Sequence, residues 1–214
     1  MFTSNIYTSK DGKNISYLLT IPDGVDTSKE SLPLILFLHG AGERGTDTNM
    51  LRVYGIPKIF TSEGCKYRAV TLSPQCPLGE TFLNNMDRVK ELLDYVTEEY
   101  NIDKDRISCT GLSMGGFGTF EIAMQYPEAF CAIAPICGGG MEWRGVYLTK
   151  MPVWAFHGVL DTSVNCKHSI DMIESINSKG GKAKLTLYSD LAHNCWNRAY
   201  EEEELIPWLL SQKK

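Results

Sequence analysis

A chain of 214 residues, 43% hydrophobic, encloses one ordinary core without staples, and two domains would be cramped, so residues 1–214 are expected to form a single domain. The formal net charge of −5, with no basic run or basic aromatic stripe, argues against a nucleic-acid partner. No apolar stretch approaches a membrane span, and Met1-Phe-Thr-Ser-Asn-Ile6 lacks a basic segment followed by an apolar one, so a cytoplasmic protein without a membrane partner is expected.

Cysteines 65, 76, 109, 131, 137, 166 and 195 are seven, an odd number, without C-x-x-C spacing. That pattern argues against a disulfide framework and against a zinc site, and it suits free thiols in a reducing compartment. Cys109, Cys131 and Cys137 lie in apolar runs and read as small buried hydrophobes. Cys195 lies in what should be an exposed loop, where either its thiol is close enough to the mouth for a bulky maleimide to slow turnover, or it is an inert packed thiol.

In chain order, residues 6–9 and 15–21 are β-rich and flank Lys10-Asp-Gly-Lys13, a hairpin signal. Residues 22–31 are polar loop. Residues 33–38 form a continuous apolar run expected of a strand buried on both faces, and it ends in His39-Gly40-Ala41-Gly42. A helix follows at 49–60, a strand at 67–72 and a long helix at 82–100, where Phe82, Met86, Val89, Leu93, Val96 and Tyr100 recur at helical spacing. A strand at 107–112 runs into Ser113 and a helix at 114–125. Strands at 130–136 and 153–156, a helix at 163–178, a strand at 183–188 and a helix at 200–211 complete the chain, with Pro207 expected to kink or delay the last helix. Alternating strands and helices imply parallel crossovers, hence an α/β class with a mostly parallel sheet of about eight strands and helices on both faces. Ligands in such sheets sit at the carboxyl ends of the strands.

The chain is organised around Arg106-Ile-Ser-Cys-Thr-Gly-Leu-Ser-Met-Gly-Gly-Phe-Gly118. A serine at a strand-to-helix corner takes a strained backbone, and its neighbours must be small enough for the helix to pass close to the strand. Gly111, Gly115 and Gly116 meet that need. The Met114 N–H, at the helix N-terminus, then aims at the same point as the Ser113 hydroxyl. The alternative is a Gly-rich helix start that Ser113 merely caps.

A serine hydroxyl needs a base. His39 and His157 each precede a glycine at a strand end, where support of a turn is the ordinary job, and His168 falls on a surface helix. His193, in the loop after the last strand, can hang over the same rim as Ser113. The orienting acid is expected at Asp161, again beyond a strand end. Asp190 is too close to His193 along the loop, and Asp171 is mid-helix. The order Ser113, Asp161, His193 is one of the known chain orders of such triads. The second oxyanion donor is expected at the Ala41 N–H, with Gly42 in reserve. Glu43 and Arg44 either pair and hold that loop, or Arg44 meets an anionic substrate.

Leu38-His-Gly-Ala-Gly-Glu-Arg-Gly45, Ser73-Pro-Gln-Cys-Pro77, Ile102-Asp-Lys-Asp-Arg-Ile107 leading into Gly111-Leu-Ser-Met-Gly-Gly116, His157-Gly158 with Asp161, and Ala192-His-Asn-Cys-Trp196 together resemble capless α/β-hydrolase carboxylesterases. The resemblance spans nearly the whole chain. It is to the branch shared by phospholipase/carboxylesterases, feruloyl and acetyl esterases, dienelactone hydrolases and the catalytic domains of prolyl oligopeptidases. It implies a serine ester hydrolase on a small-molecule ester, with no cofactor, no metal and no cap domain, and leaves a homo-oligomer open. Dienelactone hydrolases use a cysteine where Ser113 stands, which disfavours that activity. Many feruloyl-esterase relatives carry a tryptophan where Gly79-Glu-Thr-Phe82 follows here, which disfavours a phenolic-acid pocket.

Gln75 and Trp196 are candidates to line the pocket, Trp196 packing under the His193 loop being the alternative. Between residues 137 and 151 there is too little chain for a helical cap, so an open pocket is expected, with Trp143 and Tyr147 able to form a small flap. A peptidase on the same fold and a non-catalytic binding protein are the competing readings.

Overall fold

Strands that are apolar without alternation stay dry only between two covered faces, and the architecture follows from that need. A computed structural model of the protein describes residues 1–202 and 204–214. β1 (Phe2–Thr8) and β2 (Asn14–Thr20) form an antiparallel hairpin whose turn includes Gly12 at φ +79°. β3 (Leu32–Leu38) is buried at every position. With β4 (Val70–Gln75), β5 (Ile102–Leu112), β6 (Ala132–Ile136), β7 (Trp154–Gly158) and β8 (Lys184–Tyr188) it completes a sheet of order β1-β2-β4-β3-β5-β6-β7-β8. β2 meets β4 antiparallel, and every pairing from β4 onward is parallel.

Alternation along β3 divides the core. Leu34, Leu36 and Leu38 face a cluster with α2 (Met86–Glu99), α3 (Met114–Gln125) and α4 (Lys167–Ser178), to which Val89, Leu92, Phe120, Met172 and Ile176 contribute. Ile35 and Phe37 face the other cluster, built with α1 (Gly55–Phe60), α5 (Trp196–Glu201) and α6 (Leu205–Ser211) through Ile56, Ala199, Tyr200 and Leu209. This is the α/β-hydrolase fold. The segments that follow β3, β5, β7 and β8 all emerge at one carboxyl rim. Among the described residues no helix is long and apolar enough to cross a membrane.

Several boundaries differ from those read in the sequence. The helix expected at 49–60 is a 3-10 helix, Thr48–Val53, followed by α1, because Gly55 takes φ +62° against the Phe37 ring and breaks the run. The strand expected at 67–72 starts and ends three residues later, since β2 pairs as far as Gln75. The helix expected from residue 82 begins as a 3-10 turn, Phe82–Asn84, and becomes α2 only at Met86. The helix expected at 200–211 includes Glu203, which lies outside the described residues. Around it stand α5, four residues ahead of the expected start, and α6, in which Pro207 occupies the first turn, where its missing N–H costs nothing.

Candidate active site

Ser113 sits between β5 and α3 at φ 54°, ψ −116°, a conformation a side-chain-bearing residue holds only when its surroundings fix it. Its N–H donates to Ile136 O of β6 at 2.9 Å. The glycines beside it admit close backbone. A Cβ on Gly115 would lie 1.9 Å from Leu38 O, and one on Gly116 would lie 2.4 Å from Ile136 O. The helix start is thus wedged between the ends of β3 and β6, and the Ser113 hydroxyl projects from the rim.

His193 Nε2 stands 2.8 Å from Ser113 Oγ, and its Nδ1 stands 2.6 Å from Asp161 Oδ2. A carboxylate only accepts, so Nδ1–H donates to Asp161 and Nε2 is left to accept the serine proton. Asp161 Oδ1 accepts the N–H groups of Ser163 at 2.8 Å and Val164 at 2.9 Å. Burial pushes this carboxyl up, but the Val164 N–H, His193 and the Ser163 N–H outweigh it and hold it below the usual carboxylate value. The loops after β7 and β8 are joined by Val159 N–H to Tyr188 O at 2.9 Å and Leu160 N–H to Leu191 O at 3.0 Å. Trp196 packs its ring at right angles to His193, with centroids 5.3 Å apart, and also meets Tyr54 edge-on and the second core cluster.

The rival acids lie elsewhere. Asp190 pairs with Arg198 at 2.9 Å, and Asp171 pairs with Lys167 on the surface of α4. His168 is exposed beside Phe117. His39 is buried, donating from Nδ1 to Gly40 O at 2.5 Å and accepting the Cys76 N–H at Nε2.

The loop after β3 packs against the elbow, for a Cβ on Gly40 would lie 2.9 Å from Leu112 Cδ1. Among the described residues neither the Ala41 nor the Met114 N–H has an acceptor in the chain. Two substrate-binding candidates instead brace this loop. Gln75 is buried and its Nε2 donates to Glu43 O at 2.8 Å and Asp47 O at 2.9 Å, so it holds the loop from beneath. Arg44 donates from Nε to Ala41 O at 2.8 Å and from Nη1 to Glu80 O at 3.2 Å, and no ion pair joins it to Glu43 among the described residues.

Trp143 and Tyr147, which the sequence left able to form a small flap, lie on a segment that takes another course. Gly139 and Gly140 let the chain run down α3, past Phe117 and then Phe120 and Met124, into a 3-10 helix at Glu142–Leu148. Arg144 pairs with Glu121 at 2.6 Å, and Gly145 packs on Ser175 and Ile176 of α4. Glu121 lies eight residues beyond Ser113, about 12 Å along the helix at ~1.5 Å per residue. The segment leads away from the serine, and Trp143 on it is exposed.

Cys195 is fully buried, as the packed one of its two readings has it, although its loop was expected to be exposed. Its Sγ lies 3.1 Å from Cys137 Sγ, whose thiol also reaches His193 O at 3.1 Å. The neighbouring thiol, then burial, push Cys137 far above the ordinary thiol range, so neither charge nor access favours reactivity there. Cys137, His157 and Asp161 offer atoms within 4.8 Å of one another. The Asp161 oxygens and His157 nitrogens are already engaged by partners within the chain, as hydrogen-bonded packing rather than a ligand set.

Burial of His39 has a thermodynamic consequence. Desolvation depresses its pKa to about 4 from 6.5, and burial depresses His157 in the same direction. The unfolded chain binds the proton at about 6.5 and the native state resists it, so stability is full above that pH and is lost as pH falls toward 4. A depression of this size corresponds to about 3 kcal/mol. Unfolding free energy measured in denaturant is therefore expected to fall by about that amount between pH 7 and 4, and by less in His39→Gln. An equal slope in the variant would exonerate His39.

The known proteins to which this chain is similar are named for ester hydrolysis more than for one substrate. A solved thermostable esterase is 33% identical and superposes with a TM-score of 0.89 over all of this chain and 63% of its own. A bifunctional acetylxylan esterase/xylanase of Neocallimastix patriciarum is 31% identical over 77 residues, 36% of this chain and 12% of that one. Acetylxylan esterase A of Emericella nidulans is 23% identical over 137 residues, 62% of this chain and 43% of that one. The chain thus spans less than half the length of either curated relative. Residues 69–205, which carry Ser113, Asp161 and His193, match the dienelactone hydrolase family, and the chain belongs to that family.

Proposed function

We propose that this chain is a serine carboxylic-ester hydrolase acting on short-chain or small soluble esters, acetyl esters foremost. The observation that carries the reading is the continuous hydrogen-bonded chain from the Ser113 hydroxyl through His193 to an ionised, buried Asp161, mounted on a strained corner. Ser113 Oγ attacks the ester carbonyl while His193 Nε2 takes its proton, and the Met114 and Ala41 N–H groups hold the oxyanion. The imidazolium then protonates the departing alcohol. Water, activated by the same nitrogen, attacks the acyl-enzyme and releases the acid, and Asp161 stays ionised throughout. The names of the relatives support ester chemistry. The reduced thiols suit a cytoplasmic setting.

A fluorophosphonate probe tests the reading directly: it should attach to Ser113 and to no other residue. Absence of labelling in folded protein would point to a non-catalytic binding protein. The course of the 142–148 segment down α3 supports a pocket without a wall for a long acyl chain. Each buried methylene is worth about 0.8 kcal/mol only where a wall removes it from water. Across C2 to C12 p-nitrophenyl esters, kcat/KM is expected to peak at acetyl to butyryl and to fall markedly by octanoyl. A maximum at C8 or beyond would contradict the open pocket.

A further inference from the structure

His157 was read in the sequence as a turn support, yet its ring touches the Asp161 carboxylate. It sits on β7, fully buried, with Nε2 2.9 Å from Val164 O and 3.2 Å from Asp161 Oδ2. A carbonyl only accepts, so Nε2 carries a proton and shares it between the two oxygens. Nδ1 lies 2.8 Å from Ser169 Oγ, and that hydroxyl lies 2.8 Å from Gly138 O, beneath the elbow. The Asp161 carboxylate then has four donors. Ser163 and Val164 N–H groups serve Oδ1, and His193 and His157 serve Oδ2.

We propose that His157 is a positioning residue, whose Nε2–H fixes the orientation and the basicity of the carboxylate that steers His193. The inference rests on the esterase reading. Two donors on one oxygen compete for its charge, so His157 moderates the pull of Asp161 on the His193 imidazolium. Without that donor Oδ2 becomes more basic, and the imidazolium is better stabilised. The carboxylate also loses a restraint on rotation. Turnover should fall while KM for a small ester, which does not touch Asp161, stays unchanged. The other titratable groups facing this cluster are the Cys137 and Cys195 thiols and, on β8 opposite Gly158, Tyr188. Among the described residues no lysine or arginine forms an ion pair with Asp161.

His157→Gln and His157→Asn separate this role from plain packing. Glutamine can place an amide N–H where Nε2 stands. Asparagine reaches only the Nδ1 position and leaves Asp161 without its donor. Both are compared with wild type on p-nitrophenyl acetate from pH 5 to 9, with active sites counted by the fluorophosphonate probe. His157→Gln should stay within about threefold of wild type with an unmoved acidic limb, and His157→Asn should lose about 10–100-fold in kcat at nearly constant KM. In His157→Asn the acidic limb of kcat/KM should also move up by about half a unit or more. Equal losses in both variants with an unmoved limb, or wild-type kinetics in His157→Asn, would overturn the proposal. If His157→Asn does not fold, His157→Gln decides: kcat within about threefold of wild type with an unmoved acidic limb supports the proposal, and a loss of about tenfold or more overturns it. Wild-type protein that fails to take the probe overturns the esterase reading and this inference with it. Wild-type protein that labels, with variants that behave normally, overturns this inference alone.

Discussion

Ser113→Ala is expected to lower kcat by about 10⁵–10⁶ while leaving the melting temperature almost unchanged. Among the described residues the hydroxyl makes one hydrogen bond, to His193, and the elbow is held by backbone and by its glycines, so removing Oγ leaves the packing intact. His193→Ala should cost about as much, and the double variant little more, because neither group acts without the other. Asp161→Asn tests the third position. An amide there can present N–H toward His193 Nδ1, which favours the tautomer that cannot accept the serine proton, and a loss of about 10³–10⁴ in kcat follows. These losses are read as kcat per titrated site on p-nitrophenyl acetate. Near-wild-type turnover in Asp161→Asn would mean that another group orients the histidine.

The rim that gathers these three side chains was legible because each follows an apolar strand. Chain order and the glycines near Ser113 are local signals that survive without any tertiary knowledge. What the sequence did not disclose depends on where the chain goes after leaving a strand. The path of residues 138–148 is set by Gly139 and Gly140 lying flat on α3, a contact between distant segments, so Trp143 read as a flap and stands beside α4. Gln75 is a candidate to line the pocket in the sequence, yet β4 continues to it and its side chain braces the Glu43–Asp47 loop. For Cys195, two residues after His193, the sequence leaves an exposed and a packed thiol open, and only the fold shows Cys137 beside it. His157 carried a usable signal, its spacing of four from Asp161 across a turn. That spacing fits turn support equally well, and the Val164 carbonyl that fixes its tautomer is visible only in three dimensions.

The largest stability loss is expected from a single methyl group. In Gly115→Ala the new Cβ would meet Leu38 O at 1.9 Å, Leu38 C at 2.4 Å and His39 O at 2.7 Å. All three atoms are backbone at the end of β3, which is paired on both sides by β4 and β5 and has no rotamer by which to yield. To reach the 3.4 Å of ordinary contact, α3 must lift from β3 by about 1.5 Å. That movement pulls against the Ser113 N–H bond to Ile136 O and opens the space between Leu38 and Phe120 in the core. A cost of roughly 3–5 kcal/mol is expected, a large share of the ~5–15 kcal/mol that holds a domain together. At this chain length it corresponds to a fall of about 10 °C or more in melting temperature. Gly42→Ala is the control, since nothing lies within 4 Å of a Cβ there, and its melting temperature should shift by no more than about 2 °C. Any Gly115→Ala protein that folds in the cold should still label poorly with the fluorophosphonate probe, because lifting α3 carries Ser113 out of reach of His193. A Gly115→Ala melting temperature as close to wild type as that of Gly42→Ala would show that β3 and α3 separate at little cost, and the wedged elbow would not be what holds the serine in place.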